Sequence, residues 1–203
     1  MSTIPSVGGL PPLPPLPVRR FTVDEYHRII EAGILDEGDR HELLNGWIVP
    51  KMTRNPPHDL SLSLVEAELE QRLPAGWFRR IQSAVTASGD SEPEPDIAVI
   101  RGARRDYASR HPGPQDTGLA VEVSDATLAQ DRTVKLQIYA RARVPVYWIV
   151  NLPDGRVEVY TDPTGPDPAP AYRQRHDFGP ADEVPLVLDG TEVARIPVRD
   201  LLP

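Results

Sequence analysis

Residues 119–151 read LAVEVSDATLAQDRTVKLQIYARARVPVYWIVN, and three patterns follow one another inside this run. Leu119-Ala120-Val121-Glu122-Val123 is apolar except for one acid, as in a strand covered on both faces. Residues 146–151 (VYWIVN) read as another core strand. Between them, Asp131 is placed to cap a helix running to about Arg143. Strand, helix and strand in this order imply a right-handed crossover joining two parallel strands, whose carboxyl ends line one crevice.

The flanking sequence extends this unit in both directions. Glu92-Pro93-Glu94-Pro95 is incompatible with regular structure and leads into Asp96-Ile97-Ala98-Val99-Ile100, a buried strand with an acid at its mouth. Residues 58–73 carry Leu62, Val65, Leu69 and Leu73 at helical intervals, and two strands are expected near 77–82 and 83–88. Thr22-Val23-Asp24-Glu25 is a capping box before Tyr26, Ile29 and Ile30, and Gly33 ends that helix. His41 to Leu44 and Trp47 to Val49 flank Asn45-Gly46, a hairpin signal. Asp154-Gly155 turns into a strand from Arg156 to Thr161, and the remainder reads as a proline-broken antiparallel edge. The expected architecture is α/β or α+β: a mixed β-sheet flanked by helices, in one domain over residues 19–203. Residues 1–18, with six prolines, form a disordered or polyproline-like arm before it.

The chain has 203 residues, 39% hydrophobic and 26% charged, the range of a soluble globular protein. The absence of cysteine removes disulfides, thiolate metal sites and a cysteine nucleophile, and suits a reducing cytoplasm. No apolar run approaches the roughly 20 residues that span a bilayer, so no membrane is implied. The five histidines (27, 41, 58, 111 and 176) show no paired ligand spacing, which counts against a histidine metal site. The net charge of -8 counts against tight binding of nucleic acid, although basic residues cluster at Arg79 and Arg80, at Arg101, Arg104 and Arg105, and at Arg141 and Arg143.

Glu122 is the sharpest anomaly. A buried carboxylate costs several kcal/mol unless it is paired or binds a cation, and the alternative is an alternating strand with Glu122 in solvent. Asp96 opens a second apolar strand. If the two strands are neighbours their acids converge on one ion; otherwise Asp96 is a turn acid after Pro95. Lys135 lies between apolar neighbours on the helix after Glu122. Its stem either carries the ammonium out to water or points it back at the acids. Glu42 beside the hairpin and His58 at a helix start are further candidates, and a helix-initiating histidine also has a purely structural role.

Pro95-Asp96 entering one strand and Val121-Glu122-Val123-Ser124 on another resemble the core of the PD-(D/E)XK, restriction-endonuclease-like nucleases. More narrowly, the chain resembles the Uma-two family of bacterial endonucleases, also classed as a domain of unknown function. The resemblance rests on His41-Glu42-Leu43-Leu44-Asn45-Gly46, on Pro95-Asp96-Ile97-Ala98-Val99, and on the block from Val121 to Tyr160. It spans roughly residues 21–200. It implies a Mg2+- or Mn2+-dependent endonuclease cutting DNA, with Asp96, Glu122 and the Val123 carbonyl as metal ligands and Glu42 as the upstream acid. The lysine expected two residues after Glu122 is replaced by Ser124, and Lys135 on the next helix stands in for it. A homodimer fits because cutting both strands needs two sites. The competing reading is a catalytically silent module of the same fold that binds DNA or a protein partner.

The arm has little apolar surface to bury. Deleting residues 1–18 is expected to leave the melting temperature nearly unchanged; a drop of about ten degrees or more would show that the arm packs on the domain or on a partner.

Overall fold

A computed structural model of the chain describes residues 18–35 and 40–203. Apart from Val18, the proline-rich arm expected at 1–18 lies outside the described residues. In chain order the elements that matter here are α1 (Val23–Glu31), β1 (His41–Leu44), β2 (Trp47–Pro50), α2 (Pro56–Arg72), β3 (Trp77–Ile81), β4 (Ile97–Arg101) and β5 (Thr117–Ser124). They continue with α3 (Leu128–Gln130), a π-helical turn (Asp131–Lys135), α4 (Leu136–Arg141), β6 (Val146–Asn151), β7 (Arg156–Pro163), β8 (Tyr172–Phe178), β9 (Glu183–Leu188) and β10 (Thr191–Pro197).

The local signals act as their chemistry requires. The Thr22 side chain accepts from the Glu25 amide, and the Glu25 carboxylate accepts from the Thr22 amide, so the capping box satisfies two helix-end donors. Asn45 and Gly46 both have positive φ (50° and 78°), the conformation that a two-residue hairpin turn between β1 and β2 demands. Helix α2 starts two residues before the expected His58. Asn55 is its cap and Pro56 and Pro57 fill its first turn, where a missing N–H costs nothing.

Strands β3-β4-β5-β6-β7-β8 form a six-stranded mixed sheet in that order. The β5–β6 pair is parallel, as the helical crossover required, and the other pairs are antiparallel. All eight residues of β5 are buried. Its alternation sends Leu119, Val121 and Val123 into a core built with Leu62, Val65 and Leu69 of α2 and with Val184, Leu186 and Ile196 of β9 and β10. Ala120 faces the opposite side, where Tyr139 of α4 packs with Tyr147 and Ile149 of β6. Glu122 has the same parity as Ala120 and therefore lies under α4.

Three expectations are corrected. Residues 83–88 form no strand; a single bridge, Ser88 to Ser91, is all the pairing there. The helix after β5 begins at Leu128 rather than Asp131, and it widens into a π turn in which the Leu136 amide reaches the Asp131 carbonyl five residues back. The C-terminal third is divided: β8 is the antiparallel edge, whereas β9 and β10 form a separate two-stranded ribbon packed on the core.

The register of β5 slips at Gly118, since Leu119 faces Val99 but Thr117 faces Ile100. A Cβ at Gly118 would meet Trp77 at 2.5 Å and Leu188 at 2.9 Å. Gly118→Val is therefore expected to cost about 1–3 kcal/mol by overpacking, read as a melting temperature lower by several degrees. An unchanged midpoint would show that Trp77 and Leu188 give way freely.

Candidate active site

Strands β4 and β5 are antiparallel neighbours with Ile97 opposite Val121, so the next step of the register sets Asp96 against Glu122 on the α4 face. The Val123 amide donates to Asp96 Oδ2 at 3.0 Å. The two acids that the sequence singled out are thus adjacent, and both are buried, at 6% and 3% exposure.

Lys135 completes the cluster. Its Nζ lies 3.0 Å from Glu122 Oε1 and 3.4 Å from Glu42 Oε2, and the residue is 5% exposed. The alternative of a stem carrying the ammonium to water is excluded. The Tyr139 hydroxyl donates to the same Glu122 oxygen at 2.9 Å. Glu122 Oε2 has no hydrogen bond among the described residues. Glu42, brought in by the hairpin, also accepts from the Glu94 amide at 3.1 Å.

Asp131, expected as a helix cap, is instead a buried member of the cluster, accepting from the Ser124 and Thr127 hydroxyls at 2.7 Å each. Asp131 and Lys135, four residues apart and so on one face of the helix, are both buried in the π turn, and such turns recur at functional sites. His58, held by the Asn55 cap, places Nε2 3.1 Å from Asp96 Oδ2. Gln82 closes the other side: its amide donates to the Asp96 carbonyl at 3.0 Å and its Nε2 to Asp96 Oδ1 at 3.2 Å. Its φ of 45° is a strained value for a residue with a Cβ, kept by these two contacts. The sequence offered no sign of Gln82 or Tyr139, because neither stands in a recognisable spacing.

A cavity of about 50 Å³ opens among Glu42, His58, Asp96, Glu122, Val123 and Lys135. On that measure one water needs about 10–15 Å³, so an ion with a few waters fits. Arg40, Lys51 and Arg54 also line it, themselves paired with Glu94, Glu94 and Asp59, whereas the clusters that the sequence marked do not. Arg79 is paired with Glu66 and Glu70 of α2, Arg101 with Asp189, and Arg141 with Asn45.

Four acids, Glu42, Asp96, Glu122 and Asp131, face one lysine and one histidine here. Burial pushes the Glu122 carboxyl up to about 8, with Asp131, Asp96 and Glu42 adding to it against the pull of Lys135. Burial likewise raises Asp131. Asp96 goes the other way: burial opposes ionisation, but the hydrogen bond and charge of His58, the Lys135 charge and the Val123 amide outweigh it and hold the carboxyl at about 2. Burial disfavours the Lys135 ammonium, yet the surrounding carboxylates keep it charged and well above its ordinary value. Carboxyl oxygens dominate the inner wall of this pocket, a donor set of the kind that suits a hard divalent cation, with Asp96, Glu122 and the Val123 carbonyl as the candidate ligands.

The family model described as "Uma2: Putative restriction endonuclease" matches residues 23–198. A solved structure from Anabaena variabilis ATCC 29413, titled as a putative nuclease belonging to DUF820, aligns over 89% of this chain and 97% of its own, with a TM-score of 0.62 and 17% identity. That likeness establishes a shared fold. No curated protein sequence matches the chain.

The raised Glu122 carboxyl has a consequence for stability. A folded pKa above the unfolded value of about 4.5 stabilises the fold fully below 4.5, and that contribution is lost as pH rises toward about 8. In chelator-treated protein, wild type should lose stability relative to Glu122→Gln across this window, by up to about 1.4 kcal/mol per pH unit for one proton. Parallel denaturation midpoints for the two proteins from pH 4.5 to 8 would contradict the raised carboxyl.

Proposed function

Because the chain belongs to the Uma2 restriction-endonuclease family, we propose that it is a Mg2+- or Mn2+-dependent endonuclease that hydrolyses phosphodiester bonds in DNA. The observation that carries this reading is the buried Lys135 ammonium in contact with Glu122 and Glu42, beside Asp96 on the neighbouring strand. A structural ion pair needs one acid per lysine; this pocket places four around one. When bound, the cation supplies an activated water and stabilises the charge that builds on the phosphate.

Each side chain then has a definite task. Asp96 and Glu122 would hold the ion with the Val123 carbonyl. Lys135, kept protonated by its neighbours, serves as a fixed positive donor toward the attacking oxygen and the phosphate rather than as a base. Tyr139 and Glu42 keep Glu122 and Lys135 in place, and His58 and Gln82 fix the Asp96 carboxylate. Arg40, Lys51 and Arg54 line the same cavity and are paired with Glu94, Glu94 and Asp59, so a phosphate backbone would share them with these acids in a chain of net charge -8. Residues 19–203 act as one domain in this reading, and a homodimer would present the two sites that double-strand cleavage needs. Among the described residues no helix is long and apolar enough to cross a membrane.

The decisive experiment incubates purified protein with plasmid and linear DNA, with Mg2+, Mn2+ or a chelator. Metal-dependent cutting is expected, lost in Glu122→Gln and reduced roughly two to three orders of magnitude in Lys135→Ala, the scale of one preorganised donor. Lys135→Arg should rescue poorly, since a planar fork is no substitute for a compact ammonium. Removing Lys135 also leaves buried acids unpaired, at about 3–5 kcal/mol, so each variant is assayed below its own melting transition. DNA binding without cleavage by wild type would favour the silent module, and equal cleavage by wild type and Lys135→Ala would remove Lys135 from the chemistry.

A further inference from the structure

A second group of ligand-bearing side chains stands apart from the cavity just described. His27 of α1, Glu92 of the segment leading to Asp96, and His111 of the loop between β4 and β5 each bring one ligand atom to within 4.8 Å of the others. Chain spacing could not reveal them, because His27 and His111 lie far apart and Glu92 sits in a proline-rich connector. Glu92 is buried at 2% exposure, with Oε1 2.6 Å from His27 Nε2 and Oε2 accepting from the Thr86 hydroxyl at 2.6 Å. Such an outer hydrogen bond is what orients a ligating carboxylate. The His111 imidazole makes no hydrogen bond among the described residues; it packs edge-on against the His27 ring at 5.9 Å.

We propose that His27, Glu92 and His111 form a second metal site, selective for a zinc-class transition ion. Two imidazoles and one carboxylate are borderline donors that suit zinc, whereas the all-oxygen cavity around Asp96 suits magnesium or manganese. Tetrahedral zinc with bonds of about 2.1 Å holds its ligand atoms about 3.4 Å apart. His27 Nε2 and Glu92 Oε1, 2.6 Å apart, would therefore open by less than about 1 Å, and the half-exposed His111 ring would close in by at most about 1.4 Å. The fourth position faces open pockets of about 470 and 660 Å³ lined in part by His27 and His111, which leaves it to water or a solute. Burial pushes His111 below its ordinary value, and Arg80 and His27 add to this against Glu92 and Glu94.

The ion would tie three separate segments together. Glu92 is bonded through its backbone to Leu43, next to Glu42, and it lies four residues before Asp96. Occupancy here would brace both segments that feed the first site.

The test uses untagged full-length protein in excess Mg2+, so that the first site is filled, and titrates Zn2+ by calorimetry and Co2+ by visible absorption. One Zn2+ per chain is expected, with a rise in melting temperature and a tetrahedral Co2+ band. Both should persist in Asp96→Asn/Glu122→Gln, which disables the other cavity. His111→Gln, which breaks no hydrogen bond, and His27→Gln should each weaken Zn2+ binding at least tenfold and abolish the band. Zn2+ binding unchanged in His111→Gln and His27→Gln, or no stoichiometric Zn2+ binding by wild type, overturns the site.

Discussion

An ammonium buried 3.0 Å from a buried carboxylate is the contact on which the rest of this structure turns. Taking either charge out of water alone costs several kcal/mol, so each must find partners as the chain folds. Glu122 finds Lys135 and the Tyr139 hydroxyl; Lys135 finds Glu122 and Glu42. Those partners come from β1, β5 and the helical crossover. The charge pair thus binds the hairpin and the crossover to the face of the sheet, and none of the three can move independently without exposing an unpaired charge.

The pairing is still incomplete, and the incompleteness is informative. One lysine and one histidine do not balance four carboxylates, and the neighbouring acids add to the burial that pushes the Glu122 carboxyl to about 8. A pocket built only for stability would replace such acids with apolar side chains, often without loss. Retaining them at the carboxyl end of β5, beside a cavity ringed by Arg40, Lys51 and Arg54, fits a site whose charge is completed by a cation and whose occupant is an anion. The overall charge of -8 is then a property of the surface at large and a poor guide to the mouth of the cavity.

Backbone detail does as much as side-chain choice. The π turn carries both Asp131 and Lys135, Gln82 holds a left-handed conformation while gripping Asp96, and the slip at Gly118 resets the register of β5 against β4. Each departs from regular geometry, and two of the three lie within the cluster.

Much of this was legible in the chain. The capping box, the Asn-Gly turn, the apolar runs at 97–100 and 119–123 and the strand, helix and strand order depend on neighbours a few residues apart, so local chemistry determined them. The motif residues Glu42, Asp96, Glu122 and Lys135 could be named for the same reason. What the sequence left open was whether Lys135 reaches solvent or the acids and which basic residues stand at the cavity, and its reading of Asp131 as a helix cap was overturned. Those outcomes depend on which strands pair and in what register, and on contacts between residues as distant as 42 and 135. Only the folded chain sets these, because a long polar side chain takes its environment from the elements packed against it and not from its sequence neighbours. The gathering of His27, Glu92 and His111 belongs to the same class: three unremarkable positions in the chain become one cluster only when α1, the connector and the loop before β5 pack together.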